Sequence, residues 1–181
     1  MKALLNIDYT YDFVADAGAL TCGVPGQQIE GKIVGLTKEF IENGDYVVFA
    51  IDVHDKGDQY HPETKLFPPH NLRGTSGRDL FDALQGGYDD NKQLENVAYM
   101  DKTRYSAFAG TDLEIKLRER GITEVHLVGV CTDICVLHTA VDAYNKGFNI
   151  VVYKDAVASF NQAGHEWALE HFAQSLAAMV K

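Results

Sequence analysis

Short apolar runs alternate with helical patterns along this 181-residue chain, and this alternation is the feature that most limits its fold. The runs are rich in Val, Ile, Leu and Tyr, which favour strands. We place strands at residues 3–8, 46–51, 97–101, 124–130, 149–153 and 176–180. Strands separated by helices form βαβ units and pair in parallel. The sequence therefore predicts an α/β fold: a single-domain three-layer α/β/α protein over residues 1–181, with a mainly parallel, about six-stranded Rossmann-like sheet.

Two intervening segments are predicted to be crossover helices. Residues 28–43 and 132–146 place apolar side chains on one face, and they stop before Gly44 and Gly147 respectively. A last helix carries His165 and His171. With helices returning the chain each time, the carboxyl ends of the strands are expected to meet at one edge of the sheet.

Charge and composition argue against several partners. The chain has 16 Lys and Arg against 26 Asp and Glu, a formal charge of -10, with no basic run. Nucleic acid and acidic membranes are therefore not expected as partners. Asp8 interrupts the N-terminal apolar run before a signal-peptide core forms, no stretch approaches membrane-spanning length, and three cysteines are an odd number. We expect a cytoplasmic protein, and its surface permits a homo-oligomer.

Chemically active residues follow several predicted strands. They are Asp8, then Asp52 and His54, then Lys102, then Cys131 to Cys135, and finally Asp155. In open α/β sheets, ligands bind just beyond the carboxyl ends of the strands. Charged residues also end strands simply because the chain returns to water there. A hydrolytic site nevertheless needs the set of groups found at this edge: an acid, a lysine, a cysteine, and an Asp-His pair that could bind a metal. Asp155 is expected to hydrogen-bond neighbouring loops instead of taking part in catalysis.

Cys135 is the candidate nucleophile. Thr132 is a plausible helix N-cap, which would place Cys135 in the first helical turn, near the positive end of the helix dipole. The dipole and the Lys102 ammonium are expected to lower the pKa of the thiol, and Asp8 could accept its proton. Two alternatives stay open: Cys135 as a buried small apolar residue, and a Cys131–Cys135 redox couple, although its spacing is not that of Cys-x-x-Cys sites.

A metal site is predicted after the second strand. Asp52 and His54 are two residues apart in an extended segment, so their side chains point to the same side, and the following loop carries His61, Glu63 and His70. Carboxylates and imidazoles hold divalent metals; zinc is the commonest candidate, and manganese or iron would also fit. The alternative is a polar surface loop, since Asp-x-His by itself is a weak motif.

Four segments resemble the nicotinamidases of the isochorismatase-like cysteine hydrolase superfamily. They are IDYTYDF at 7–13, DVH at 52–54, DK at 101–102 and GVCTDIC at 129–135. The resemblance implies that Asp8 is the general base and that Lys102 is the family's catalytic lysine. Cys135 would be the nucleophile that forms a thioester intermediate. The resemblance also implies metal ligation by Asp52, His54 and His70, with Glu63 binding directly or through water.

The same resemblance implies a substrate site and a reaction. The substrate walls would be Phe13, Leu20, Phe67 and Tyr105. The amides of Cys131 and Cys135 would form the oxyanion hole, after a cis peptide bond preceding Cys131. The reaction would convert nicotinamide, a small carboxamide, to nicotinate and ammonia in NAD salvage. As a hypothesis of our own, we expect the metal to bind the pyridine nitrogen and the loop 55–77 to cover the substrate, with Gly74 and Gly77 as hinges.

Three other functions remain open from the sequence. Cysteine amidohydrolases that act on N-carbamoyl or ureido compounds share the acid, lysine and cysteine but generally lack the metal residues. Isochorismatases cleave a vinyl ether and do not need the cysteine. A non-catalytic binding module could keep the same fold, because a fold does not fix a function.

Overall fold

The computed structural model describes all 181 residues and contains one six-stranded sheet. The strands are β1 (Ala3–Ile7), β2 (Tyr46–Asp52), β3 (Val97–Lys102), β4 (Glu124–Val130), β5 (Asn149–Ala158) and β6 (Met179–Val180). Their order is β3-β2-β1-β4-β5-β6, and every adjacent pair is parallel. The predicted six-stranded sheet is confirmed.

Seven α-helices cover the two faces of the sheet. They are α1 (Tyr11–Val14), α2 (Val24–Gln28), α3 (Glu30–Glu42), α4 (Ala83–Asn91), α5 (Leu113–Glu119), α6 (Leu137–Asn145) and α7 (Gln162–Ser175). Helices α5, α6 and α7 contribute to one apolar core, and α1, α3 and α4 contribute to the other. Successive strand residues point to opposite faces, so Leu4 packs in one core and Leu5 in the other. This is the predicted three-layer arrangement. None of the helices is both long and apolar enough to cross a membrane.

Strand β5 extends beyond its predicted end. The prediction ended it at Tyr153 because Lys154 and Asp155 interrupt the apolar run. In the structure both side chains are exposed while the backbone stays in the strand as far as Ala158. Asp155 therefore lies within the strand, not after it, and it forms an ion pair with Lys32 at 3.1 Å.

The predicted starts of one helix and of the last strand also differ from those in the structure. The helix predicted over residues 28–43 is present as α3 but begins at Glu30, because Gln28 is the last residue of the separate helix α2. The last strand is only two residues long, because Leu176 is the C-cap of α7.

The segment after β4 begins with a π-helical turn, Thr132–Val136, which leads directly into α6. Thr132 is not an N-cap: Cys131 holds that position, and the Thr132 hydroxyl bonds to His165 Nδ1 at 2.8 Å. The peptide bond between Val130 and Cys131 is cis, as the resemblance implied. Cys135 is thus displayed by a π turn and not by the first turn of an α-helix.

Close packing of β1 against β4 brings two parts of the site together. Gly129 has φ 116°, and a Cβ there would lie 1.9 Å from the Ile7 carbonyl oxygen. Only glycine permits this approach. Asp8 and Cys131 follow the two strands immediately, so the glycine places the acid beside the segment that carries the cysteine.

Candidate active site

The three predicted catalytic side chains meet at the carboxyl edge of the sheet. Asp8 follows β1 directly, Lys102 ends β3, and Cys135 lies in the π turn after β4. Lys102 Nζ lies 2.7 Å from Asp8 Oδ2 and 3.7 Å from Cys135 Sγ. All three residues are buried. The structure thus brings an acid, an ammonium and a thiol into one water-excluded cluster.

The remaining oxygen of the acid is held by the backbone. Asp8 Oδ1 accepts a 2.7 Å hydrogen bond from the amide of Asp52, at the end of β2. Asp8 itself has φ 55°, a left-handed conformation that non-glycine residues seldom adopt. A residue held in that conformation is fixed by its surroundings. These contacts leave the carboxylate one orientation, towards Lys102.

Burial controls the protonation of this cluster. Burial raises the pKa of Asp8, although the positive charge of Lys102 opposes the shift. Burial alone would lower the pKa of Lys102, but the opposing charges of Asp8, Cys135 and Asp52 raise it. The lysine is therefore an ammonium, and Asp8 is a stronger base than an exposed carboxylate.

The predicted lowering of the Cys135 pKa is wrong. Burial raises the pKa of this thiol well above its ordinary value, and the attraction of Lys102 does not compensate. Cys135 therefore rests as a thiol. It needs a base at the moment of reaction, and the Asp8 carboxylate is within hydrogen-bonding reach of its sulfur.

The predicted metal residues also converge. One ligand atom from each of Asp52, His54, Glu63 and His70 lies within 4.8 Å of all the others, and all four residues are buried. His54 Nε2 lies 2.6 Å from Asp52 Oδ2, and His70 Nε2 lies 3.6 Å from both Asp52 Oδ2 and Glu63 Oε2. Two imidazoles and two carboxylates form a set that suits zinc, manganese or iron.

Unpartnered atoms show that this cluster fits a cation. His70 Nε2 and Asp52 Oδ1 are fully buried without a hydrogen-bond partner. His70 Nδ1 bonds to the Pro68 carbonyl at 2.8 Å, which leaves Nε2 turned towards the carboxylates. Burying such polar groups without partners is costly. A bound divalent ion would satisfy both atoms.

The charges of the cluster agree with this fit. Burial alone would lower the pKa of His70, but the nearby Asp52 and Glu63 carboxylates raise it to about 10. The Pro68 carbonyl, which accepts from His70 Nδ1 at 2.8 Å, raises this pKa further. In the absence of metal, a proton on His70 supplies the positive charge that the carboxylates attract.

His61 supports the cluster without belonging to it. Its Nδ1 accepts a hydrogen bond from the Glu63 amide, and its Nε2 donates to the Thr103 carbonyl at 2.8 Å. Its ring packs on His54, with centroids 4.1 Å apart. Both ring nitrogens are thus occupied, so the histidine positions Glu63 and His54.

A small cavity lies between the thiol and the metal residues. Its volume is about 20 Å³, and it touches Cys131, Cys135 and Glu63. The four predicted substrate walls all line it: Phe13, Leu20, Phe67 and Tyr105. Sequence reasoning missed two further walls, Ile134 and Phe160. A correct end for β5 would have indicated Phe160, because this residue follows two positions after the strand.

Larger clefts lie elsewhere. One of about 310 Å³ lies between α3 and α4 and has no cysteine or histidine in its lining. Another, of about 330 Å³, lies along the loop that carries His54, Glu63 and His70. Neither reaches Cys135, so the small cavity is the candidate substrate site despite its size.

The π turn is tied to the segment that follows β5. Ser159 Oγ donates to the Asp133 carboxylate at 2.6 Å, and Thr132 bonds to His165 of α7. The Cys131 carbonyl accepts from the amides of Ile134 and Val136, at 3.1 and 3.2 Å. These contacts fix the backbone on both sides of Cys135. The oxyanion hole formed by the Cys131 and Cys135 amides stays a prediction.

Together, the fold and the site define a three-layer α/β protein in which a buried thiol, carboxylate and ammonium lie beside four residues that could hold a metal ion. Residues 2–181 match the family model described as the Isochorismatase domain. The chain belongs to the isochorismatase family.

Known relatives share nearly the whole chain. The "Uncharacterized isochorismatase family protein PncA" of Bacillus subtilis is 71% identical over 179 residues, covering 99% of this chain and 98% of the relative. The crystal structure of nicotinamidase/pyrazinamidase PncA from the same organism has a TM-score of 0.98 and 67% identity, with 99% of both chains covered.

Two more distant solved structures bear on the chemistry. A pyrazinamidase of Pyrococcus horikoshii in complex with zinc is 29% identical, with a TM-score of 0.86 over 99% of this chain and 98% of that one. N-carbamoylsarcosine amidase of Thermoplasma acidophilum is 30% identical, with a TM-score of 0.85 over 100% and 96%. The fold is thus common to relatives that are named for different amides.

Proposed function

We propose that this protein is a nicotinamidase, which hydrolyses nicotinamide to nicotinate and ammonia and so serves NAD salvage in the cytoplasm. The observation that carries the proposal is the buried Asp8–Lys102–Cys135 cluster beside four metal-type residues and a small aromatic cavity. The similarity to the Bacillus subtilis nicotinamidase/pyrazinamidase supports it. A single isochorismatase domain over residues 1–181 would carry this activity.

The first half of the reaction forms a thioester. Asp8 accepts the proton of the Cys135 thiol, and the sulfur attacks the carboxamide carbon. The carbonyl oxygen becomes negatively charged and is held by the amides of Cys131 and Cys135. When the carbon–nitrogen bond breaks, the proton held on Asp8 passes to the leaving nitrogen, and ammonia departs.

The second half repeats these steps with water. Asp8, now a carboxylate again, accepts a proton from a water molecule that attacks the thioester carbon. The carbon–sulfur bond breaks, and the proton on Asp8 returns to the Cys135 sulfur. The nicotinic acid that forms loses its remaining proton to solvent and leaves as nicotinate. Each proton taken up by Asp8 is thus given back within the same half-reaction.

Lys102 makes the proton transfer possible in a buried site. Moving a proton from Cys135 to Asp8 neutralises the acid and leaves a thiolate. The Lys102 ammonium lies 2.7 Å from the acid and 3.7 Å from the sulfur, so it pairs with the negative charge before and after the transfer. A buried charge without such a partner would be strongly unfavourable.

The metal would be held by Asp52, His54, His70 and Glu63, with Glu63 binding directly or through water. One divalent ion, zinc as the commonest candidate, would supply a Lewis acid that can hold the ring nitrogen of the substrate. The aromatic walls Phe13, Phe67 and Tyr105, together with Leu20, would then pack against the flat ring.

Removal of one metal ligand should abolish stoichiometric metal binding. Wild-type protein loaded with zinc and dialysed is expected to retain one ion per chain, and a His54→Ala variant to bind more than about 100-fold more weakly, because even outer partners of metal ligands contribute about 10–100-fold. Elemental analysis and the rise in Tm on adding zinc both measure this. His171→Ala is a matched control, since His171 stacks on Trp167 in α7. Equal metal content in both variants would rule out the site.

A second candidate activity is the hydrolysis of an N-carbamoyl or ureido compound, which the structural likeness to N-carbamoylsarcosine amidase favours. The four-residue metal cluster argues for a ligand with a ring nitrogen instead. Ammonia release from nicotinamide and from N-carbamoylsarcosine, each with zinc-loaded protein, separates the two. We expect nicotinamide to be preferred by at least about 100-fold, because a site built to bind a polar group of its substrate strongly rejects compounds without that group. Release from the carbamoyl compound alone would replace the proposal with this alternative.

A further inference from the structure

Two cysteines outside the proposed mechanism are in direct contact. The sulfur atoms of Cys22 and Cys131 lie 3.4 Å apart, and both thiols are free and buried. The contact joins positions that are 109 residues apart in the chain. The proposed mechanism uses the amide of Cys131 but neither of these two side chains.

One of these two residues borders the substrate cavity. Cys131 lines that cavity together with Cys135, whereas Cys22 does not line it. A volume of about 20 Å³ accommodates roughly one water molecule. Hydrogen peroxide is only slightly larger than water, so the route that admits an amide substrate also admits this oxidant to Cys131.

We infer that Cys22 and Cys131 form a redox modification site, in which hydrogen peroxide converts the thiol pair to an intramolecular disulfide. The Cys131 sulfur attacks one peroxide oxygen, the oxygen–oxygen bond breaks, and a sulfenic acid and one water form. The Cys22 thiol then attacks the oxidised sulfur and displaces a second water. Two thiols and one peroxide thus give one disulfide and two waters.

The local backbone suits this reaction. A disulfide requires the sulfur atoms to approach to about 2.05 Å. Cys131 is fixed at the end of β4, but Cys22 lies in the irregular segment between α1 and α2 and precedes Gly23, which has φ 61°. The small movement that brings the two sulfur atoms together would therefore be made by Cys22.

Cys135 is a less suitable partner. Its contacts are with the Lys102 ammonium and the Asp8 carboxylate, neither of which can form a disulfide. Its oxidation would proceed towards irreversible acids. Formation of a disulfide between Cys22 and Cys131 instead ends the oxidation at a product that reductants can reverse.

The thiol pair is expected to react slowly. Contact with Cys22 and burial raise the pKa of Cys131 well above its ordinary value, so little thiolate is present at neutral pH. The thiolate is the reactive form. The pair therefore stays reduced in a reducing compartment and oxidises only when peroxide persists.

Peptide mapping after peroxide treatment tests this inference. The folded wild-type chain is incubated with hydrogen peroxide, quenched in acid, alkylated under denaturing conditions and digested. We expect a cross-linked peptide containing Cys22 and Cys131 that dithiothreitol separates again. A Cys22→Ala variant should give no cross-link and should carry sulfinic acid at Cys131.

Two results would overturn the inference. One is a Cys22 that remains fully alkylated while Cys131 or Cys135 is oxidised, and the other is a cross-link between Cys131 and Cys135. Because the mapping needs no substrate, it is independent of whether nicotinamide is hydrolysed.

Discussion

A Cys135→Ala variant is expected to release ammonia from nicotinamide at least about 10⁴-fold more slowly than the wild-type protein, because it lacks the thiol that forms the thioester. Cys135 is the thiol that contacts both Lys102 and Asp8. Coupled-enzyme detection of ammonia gives kcat directly. The loss should appear in kcat, since the substrate walls and the metal residues are unchanged.

A matched control exists in the same chain. Cys22 is also buried and free, yet it does not line the substrate cavity. Cys22→Ala should retain activity within about threefold, because small volume changes beside a core residue have limited effects. Equal activity of the Cys135→Ala variant and the wild-type protein would remove the thiol from the mechanism.

An Asp8→Asn variant is expected to lose about 10³- to 10⁴-fold in kcat, since general acid–base catalysis typically contributes about 10²- to 10⁴-fold and Asp8 acts in both half-reactions. The amide has the shape of the acid but cannot accept the thiol proton. The exposed acid Asp155, paired with Lys32, provides the control, and Asp155→Asn should leave the rate unchanged.

The same substitution should reduce stability. It leaves the Lys102 ammonium buried without its 2.7 Å partner, and breaking a buried pair in this way costs about 3–5 kcal/mol. Urea unfolding measures this cost. A double variant, Asp8→Asn with Lys102→Met, should regain much of the lost stability without regaining activity. Recovery of activity along with stability would show that Asp8 serves only the fold.

The sheet and most of the site could be predicted because each rests on a local pattern. Strands β1, β2 and β4 are mainly apolar and almost wholly buried, whereas β3 is only partly buried. Asp8, Asp52 and Lys102 stand at or just after the ends of β1, β2 and β3. Parallel pairing then brings these ends together whatever lies between them. This part of the prediction needed only the direction of the strands, whereas the substrate walls and the oxyanion hole were implied by the family resemblance.

Features that depend on tertiary contacts were not predicted. Because Lys154 and Asp155 are charged and exposed, the continuation of β5 to Ala158 was not predicted. The position of Phe160 in the cavity wall was missed for the same reason. The short helices α1 and α2 have only four and five residues, too few for a helical period to show. The shift in the Cys135 pKa was predicted in the wrong direction, because burial of the thiol cannot be read from neighbouring residues in the chain.

The central claim is that Cys135 carries the acyl group during the hydrolysis of nicotinamide. The most direct test mixes metal-loaded protein with nicotinamide, quenches with acid within milliseconds, and measures intact and peptide masses. We predict one pyridine-3-carbonyl group bound to Cys135 in the wild-type protein and none in the Cys135→Ala variant. An acyl group on another residue, or nicotinate released by that variant at the wild-type rate, would contradict the claim.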